Sequence, residues 1–98
     1  MVWTIEYTDT ARRELRKIDK QMALRIVDYM DERIAELDNP RSTGKALVGR
    51  LRGLWRYRVG DYRLLCAIQD GILRVLVLEV GHRRDVYKQS PTSGTRFD

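Results

Sequence analysis

The stretch LWRYRVGDYRL, residues 54–64, alternates apolar and basic side chains on both sides of a Gly-Asp pair. Glycine adopts positive φ at little cost, so the pattern predicts a β-hairpin with a two-residue turn at Gly60-Asp61. Side chains of a strand alternate between faces, so one face becomes a core and the other carries arginines. The core face holds Trp55, Tyr57, Val59, Tyr62, Leu64, Cys66 and Ile68, and the other holds Arg56, Arg58 and Arg63.

The arginine face of this hairpin places Arg58 directly opposite Arg63. Like charges facing each other across an antiparallel pair are destabilising, by up to about 1 kcal/mol. Stability does not explain this arrangement, which therefore favours a binding role for the arginine face. The alternative is a solvated basic surface whose arginine stems cover apolar neighbours.

The composition indicates one small basic domain. The chain has 98 residues and a net charge of +5, and its 19 basic residues comprise 15 Arg and 4 Lys. The planar guanidinium fork fits phosphate, so this bias favours a nucleic acid or an acidic protein as partner. We assign residues 1–90 to a single domain and predict a flexible polar tail at 91–98.

Two further features concern location. The single cysteine, Cys66, falls on the apolar face of a strand, which is typical of a reducing compartment. No apolar run approaches the length of a membrane span, and residues 1–9 do not resemble a signal peptide. We therefore predict a cytoplasmic protein without a membrane association.

The remaining segments predict an α+β fold. Residues 2–7 alternate as a strand, Thr8 or Asp9 caps a first helix, and Asp19 caps a second helix over about 21–38. The helical stripes are Ala11, Leu15 and Ile18, and then Ala23, Val27, Met30, Ile34 and Leu37.

The last strand, residues 72–80, is apolar on both faces and so belongs inside the sheet. A turn at Asp70-Gly71 would pair Gln69 with Ile72 and Leu64 with Val77. The element order is β-α-α-β-β-β, and a short C-terminal helix can follow. We predict a four-stranded, mainly antiparallel sheet of order 1-4-3-2, with both N-terminal helices on the core face and the arginine face open.

The segment GHRRDVY, residues 81–87, begins where the last strand returns to the hairpin turn. We expect His82 and Arg83 to emerge beside Arg58 and Arg63, with Tyr87 nearby. The predicted anion site comprises Arg56, Arg58, Arg63, His82, Arg83 and Tyr87. The carboxylates that could lie on this face and neutralise its arginines are Asp61, Glu79 and Asp85.

Four apolar residues accompany the arginines on the predicted open face: Leu65, Ala67, Leu76 and Leu78. Apolar surface beside a charged patch indicates a partner. These residues predict a partner that is amphipathic and acidic.

The segments IEYTDTARRELRKI, NPRSTGKAL, GLWRYRVGDYRLLCAI and VLVLEVGHRRDVY together resemble the RelE/ParE toxin superfamily, specifically its RelE-like mRNA interferase branch. The resemblance implies a type II toxin that cleaves mRNA, commonly on the ribosome, without a metal or cofactor, and that binds a cognate antitoxin. It also implies phosphate ligands at Arg56, Arg58, Arg63 and Arg83, and a general base at Tyr87.

In the best-known RelE pattern the positions that match Arg56 and Arg58 are lysines. Arginine does not exchange protons near neutral pH, so we predict binding but no proton transfer for these two residues. Tyrosine, with a pKa near 10, needs neighbouring cations to act as a base. Tyr87 is our first candidate for the base, and His82 is the second.

Two alternatives to the nuclease remain open. A ParE-like toxin would share the fold but inhibit DNA gyrase by binding, without nuclease activity. A degenerate, non-toxic relative would act only as a regulatory binding module.

Overall fold

Five strands and two α-helices make up residues 2–83, the part of the chain that the computed structural model describes. In chain order they are β1 (Thr4–Tyr7), α1 (Asp9–Lys17), α2 (Lys20–Tyr29), β2 (Lys45–Ala46), β3 (Trp55–Val59), β4 (Tyr62–Gln69) and β5 (Arg74–His82). The predicted C-terminal helix, the tail at 91–98 and the candidate base Tyr87 lie outside the described residues. Within residues 2–83, no helix is both long and apolar enough to cross a membrane.

The strands form one sheet of order β1-β5-β4-β3-β2. Strand β1 runs parallel to β5, and the other neighbours are antiparallel. The four predicted strands lie next to each other in the predicted order, but the four-strand count was wrong. The fifth strand, β2, adds two residues at the edge of β3, and a strand this short carries no periodicity in the sequence.

Both helices begin at the predicted capping residues. The Thr8 hydroxyl accepts a hydrogen bond from the Ala11 N–H, and the Asp19 carboxylate accepts one from the Met22 N–H. The predicted second helix, 21–38, was too long, because α2 ends at Tyr29 and a π-helical turn spans Met30–Ile34. Apolar side chains continue at helical spacing through this turn, so the periodicity alone did not reveal the change.

The core lies between the helices and one face of the sheet. Its fully buried residues include Ile26, Met30 and Ile34 from the helical side, and Tyr57, Leu64, Cys66, Val75 and Val77 from the strands. The predicted core face of the hairpin is therefore confirmed. Burying one such large side chain contributes about 1.5–3 kcal/mol, so this layer fixes which face the helices cover.

The connection between β4 and β5 differs from the predicted two-residue turn. Residues Asp70–Ile72 form a 3-10 turn, and Leu73 follows with a φ of 50°. Gln69 pairs with Arg74 rather than Ile72, which shifts the register by two residues. Because side chains alternate with a period of two, this shift leaves the predicted faces unchanged. The Gln69 side chain accepts a hydrogen bond from Arg74 Nε at 2.7 Å, which favours the longer connection.

A β-bulge in β5 changes the faces beyond it. Cys66 pairs with Val77, but its neighbour Leu65 pairs with Glu79, so β5 gains one residue at Leu78. From there on, Val80 shares the helix face of the sheet and Glu79 shares the arginine face.

Side chains from the N-terminal part of the chain satisfy the backbone at the bulge. Thr8 Oγ1 donates a hydrogen bond to the Leu78 carbonyl, and the Val80 N–H donates one to Glu14 Oε1, both at 2.7 Å. Strand β1 ends at Tyr7, so its ladder no longer reaches these groups. The bulge is therefore held by residues remote in sequence.

The arginine face is not open as predicted. The segment between β2 and β3 folds over it, and Leu47, Leu51 and Leu54 form a second apolar cluster with Leu65 and Leu78. Leu65 is 4% exposed. The chain thus covers Leu65 and packs against Leu78, two of the four apolar residues that were predicted to face a partner.

Candidate functional site

The hairpin turn gathers three of the predicted arginines at one corner of the sheet. Arg58 pairs with Arg63 across β3 and β4, as predicted, and Arg63 faces Gly81 on β5. The Arg83 N–H donates a hydrogen bond to the Asp61 carbonyl at 2.8 Å, which fixes Arg83 beside the turn. Arg58, Arg63 and Arg83 thus start from adjoining backbone positions.

The arginines differ sharply in burial. Arg56 and Arg63 are 6% and 5% exposed, whereas Arg58 and Arg83 are exposed. A buried guanidinium has few alternative rotamers, and burying its charge is unfavourable without polar contacts. The two buried arginines are therefore fixed parts of the surface, and Arg58 and Arg83 are the ones most accessible to a ligand.

His82 does not join the arginines, so the prediction that it emerges beside Arg58 and Arg63 was wrong. It pairs with Tyr62 on the helix side of the sheet, and its ring meets the Tyr62 ring edge-on, with 5.1 Å between centroids. The bulge at Leu78 causes this difference, since one extra residue moves every later side chain to the other face. His82 lines a small pocket of about 220 Å³ together with Glu14 and Lys17 of α1.

Two further charged residues, one basic and one acidic, lie on the arginine face. Lys45 pairs with Arg56 across β2 and β3 and so extends the basic surface, which the sequence analysis missed. Its sequence signals were its place after Gly44 and its membership of the NPRSTGKAL segment, which carries part of the family resemblance. Glu79, one of the three candidate carboxylates in the sequence, lies on the same face through its pairing with Leu65.

A cleft of about 440 Å³ opens at the edge of this basic surface. Its lining within the described residues is Tyr29, Thr43, Gly44, Lys45, Arg56 and Arg58. This set includes three cationic side chains and no carboxylate. The cleft is therefore suited to an anionic ligand.

The single thiol is placed where it cannot act as a nucleophile. Cys66 is fully buried in the core, and this burial raises its pKa well above the ordinary value. A buried, protonated thiol is inert, so Cys66 is a small core residue, as its position in the strand predicted.

The fold and the basic corner define a class: a small α+β protein with two helices on one face of its sheet and a cationic surface on the other. The family described as "ParE toxin of type II toxin-antitoxin system, parDE" matches residues 5–87. The chain belongs to this RelE/ParE family of type II toxins, and its curated relatives place it on the RelE side.

Two of those relatives come from Mycobacterium tuberculosis. Toxin RelG is 35% identical over 89 residues, which are 91% of this chain and all of the relative. Toxin RelE of the same organism is 34% identical over 87 residues, covering 89% of this chain and 88% of that protein.

Solved structures of toxin–antitoxin complexes contain chains with a similar fold. The toxin–antitoxin complex RelBE2 from Mycobacterium tuberculosis contains a chain that is 34% identical, with a TM-score of 0.77, covering 85% of this chain and 93% of that one. The intact RelBE complex of E. coli has a chain 18% identical, with a TM-score of 0.65, over 82% of this chain and 95% of that one. At that identity the E. coli likeness concerns the fold alone.

Proposed function

We propose that this toxin is a metal-independent endoribonuclease that cleaves mRNA and so inhibits translation. The observation that carries the proposal is the corner beside the Gly60-Asp61 turn, where the backbone positions of Arg58, Arg63 and Arg83 adjoin. The names of the curated relatives, Toxin RelG and Toxin RelE, support the RelE-like branch.

The proposed reaction is an attack of the ribose 2′-oxygen on the adjacent phosphorus. The O2′–P bond forms as the P–O5′ bond breaks, which leaves a 2′,3′-cyclic phosphate and a 5′-hydroxyl. A general base takes the 2′-OH proton, and the departing O5′ receives a proton. Negative charge grows on the phosphoryl oxygens, and guanidinium groups already in place at Arg58, Arg63 and Arg83 stabilise it.

Tyr87, which lies outside the described residues, is our candidate for the base, a role in which a tyrosine needs nearby cations to lower its pKa. Arg56 serves as a buried phosphate-binding or supporting cation and transfers no proton. We no longer assign His82 a role in proton transfer, because it lies on the helix side of the sheet. The cleavage is proposed to occur in the cytoplasm, on mRNA bound to the ribosome.

The test is primer extension on a reporter mRNA in a bacterial translation extract. The wild-type protein is expected to give discrete cuts that end in a 2′,3′-cyclic phosphate. Arg83→Ala should lower the cleavage rate by about 100-fold or more, as removal of a positioned transition-state donor does elsewhere. Tyr87→Phe should abolish the cuts.

Two control variants sharpen this test. His82→Gln should cleave like the wild type, because its side chain faces away from the arginines. Arg13→Gln removes an exposed arginine of α1, on the helix side of the sheet, and should leave cleavage unchanged. Intact mRNA at protein concentrations that arrest translation would refute the nuclease proposal.

A cognate antitoxin is the proposed protein partner, as in the toxin–antitoxin complex RelBE2 that the structure resembles. An acidic segment of such a partner would neutralise the exposed Arg58 and Arg83. Co-expression with the adjacent open reading frame should restore growth and yield a complex that co-elutes in gel filtration. Growth arrest that no neighbouring gene relieves would contradict this partner.

A second candidate is inhibition of DNA gyrase, because the matching family is described as ParE toxin. A toxin of this kind would block supercoiling of plasmid DNA by purified gyrase and would leave mRNA intact. The two functions are thus separated by one pair of assays.

A further inference from the structure

The cleft at the edge of β3 exists because strand β2 is short. Gly44 has a φ of +84°, a left-handed conformation that turns the chain away from β3 directly before Lys45. The Trp55 indole N–H donates to the Thr43 carbonyl at 2.7 Å and fixes this departure. Pairing with β3 therefore stops at Arg56, and Arg58 stands at an edge that β2 does not reach.

Lys45 and Arg58 are the accessible cations of this cleft. Both are exposed, and neither forms an ion pair with any of residues 2–83. The cleft is lined by no carboxylate from this part of the chain. Two accessible cations on one wall are suited to a phosphate group.

Helix α2 and the π-helical turn that follows it supply the opposite side, with an aromatic ring between two arginines. Tyr29 lines the cleft, and the Arg33 guanidinium lies over its ring, 5.9 Å from the centroid. One turn earlier, Arg25 reaches the hairpin turn, where its Nη1 would be 3.3 Å from a Cβ added at Gly60. Positions 25, 29 and 33 follow one helical stripe, so basic side chains flank the ring on both sides.

From this arrangement we infer that the cleft binds one nucleotide of a single RNA strand, next to the phosphate that is cleaved, with Lys45 and Arg58 on its phosphate and Tyr29 against its base. Single-stranded nucleic acid is commonly held by this combination of a cationic groove and an aromatic ring. The volume of about 440 Å³ lies within the usual range for small-ligand sites. The inference rests on the proposed nuclease function, whose corner shares Arg58 with the cleft.

The experiment measures binding separately from cleavage. A fluorescein-labelled 2′-O-methyl hexaribonucleotide cannot be cut by 2′-oxygen attack, so its fluorescence anisotropy reports affinity alone. Lys45→Gln should weaken binding by about three- to tenfold and reduce the slope of log K against log salt by about 0.7, the value for one phosphate contact on a single strand. Lys20→Gln, an exposed lysine at the start of α2, is the matched control and should change neither quantity.

Tyr29 is tested with a pair of variants, since it also packs against the core. Tyr29→Phe keeps the ring and should bind like the wild type. Tyr29→Leu keeps apolar volume but removes the ring, and it should weaken binding by about tenfold, as loss of one stacked base does. Melting curves of both variants identify any loss that comes from unfolding, and both should stay folded at the assay temperature.

The outcomes distinguish this inference from the nuclease proposal. If the wild type cuts mRNA while Lys45→Gln and Tyr29→Leu bind and cut as it does, the cleft inference is wrong and the nuclease stands. If the variants weaken binding but the wild type cuts nothing, the nuclease proposal fails, and only the binding of single-stranded RNA in the cleft stands, without its place beside a cleaved phosphate. A Lys45→Gln variant that loses affinity for the antitoxin but not for the hexaribonucleotide would assign the cleft to an acidic peptide and overturn the inference.

Discussion

At the scale of single residues, burial decides which chemistry each side chain can contribute. Arg58 and Arg63 face each other in the same ladder, yet Arg63 is 5% exposed and Arg58 is exposed. The sequence pattern gave both the same role, since alternation reports the face but not what covers it. Only the accessible arginine can be replaced without disturbing packing.

The buried thiol offers a probe of unfolding at this scale. Cys66 is fully buried and its pKa is raised by that burial, so a thiol reagent should reach it only when the core opens. We expect the native protein to react with Ellman's reagent at a small fraction of the rate of the urea-unfolded chain at pH 8. Cys66→Ala should give no signal, and fast labelling of the native protein would contradict the described core.

At the scale of elements, the bulge in β5 is the feature that organises the site. It places Glu79 and Gly81 on the arginine face and His82 on the helix face. Thr8 holds it by accepting from the Ala11 N–H at the start of α1 and donating to the Leu78 carbonyl. One hydroxyl thus links a helix cap to the strand that leads into Arg83.

Thr8→Ala should therefore destabilise the protein by about 2–4 kcal/mol. The substitution removes an N-cap, worth about 1 kcal/mol, and leaves the Leu78 carbonyl without its hydroxyl partner, which costs a further 1–3 kcal/mol. Thr8→Ser keeps the hydroxyl and should retain most of the stability. Urea unfolding gives the measurement, and an alanine variant within 0.5 kcal/mol of the wild type would contradict the linkage.

The close approach at Gly44 supports a second prediction about elements. A Cβ there would lie 2.5 Å from Trp55 Nε1 and 2.6 Å from the Arg56 carbonyl oxygen, so Gly44→Ala should displace β2 from β3. Gly53→Ala is the control, because Gly53 also has positive φ but has open space around it.

We expect Gly53→Ala to lower the free energy of unfolding by about 1–2 kcal/mol, which is the cost of a left-handed alanine. Gly44→Ala should lower the free energy of unfolding, measured in urea, by about 2 kcal/mol more than this, because it adds a steric clash to the same backbone strain. Equal losses in the two variants would show that the clash relaxes without cost.

At the scale of the whole molecule, segments from the two ends of the described chain pair at one edge of the sheet. Strand β5 lies between β1 and β4, so its pairing with Thr4–Tyr7 closes most of the chain into one loop. Contacts this remote in sequence are typical of slower folding, because the entropy of closing the loop must be overcome first. At the end of β4 opposite the Gly60-Asp61 turn, Arg41 forms a bidentate ion pair with Asp70, with both N–O distances 2.9 Å. This pair joins the segment after α2 to the β4–β5 turn.

This ion pair predicts a small pH dependence of stability. The hydrogen bond from Arg41 holds the pKa of Asp70 below its ordinary value, so the carboxylate stabilises the fold at neutral pH. The contribution is lost as the pH falls through the folded pKa, because the protonated acid no longer pairs with Arg41. Asp70→Asn should therefore melt at a slightly lower temperature than the wild type at pH 7, and the difference should vanish in acid.

Asp28→Asn is the matched control, since Asp28 is exposed on α2 and forms no ion pair within residues 2–83. Its melting temperature should not show the same convergence toward the wild type in acid. A gap between wild type and Asp70→Asn that persists below the folded pKa would show that the pair does not stabilise through its charge.

The amino-acid sequence determined the hairpin, its core and arginine faces, the capped starts of both helices and the order of the four long strands. The hairpin, its faces and the helix starts follow from local alternation, helical spacing and capping residues, which operate within a few positions of each other. The strand order follows because the last strand is apolar on both faces and therefore needs a neighbour on each side. Only the tertiary structure decided the side on which His82 lies, the burial of Arg56 and Arg63, and the short strand that opens the cleft at Arg58. Each of these depends on contacts between remote segments: Thr8 and Glu14 hold the bulge, Leu47 and Leu51 cover the arginine face, and Gly44 packs on Trp55. No local pattern encodes such contacts, because their free energy exists only once the chain has brought the partners together.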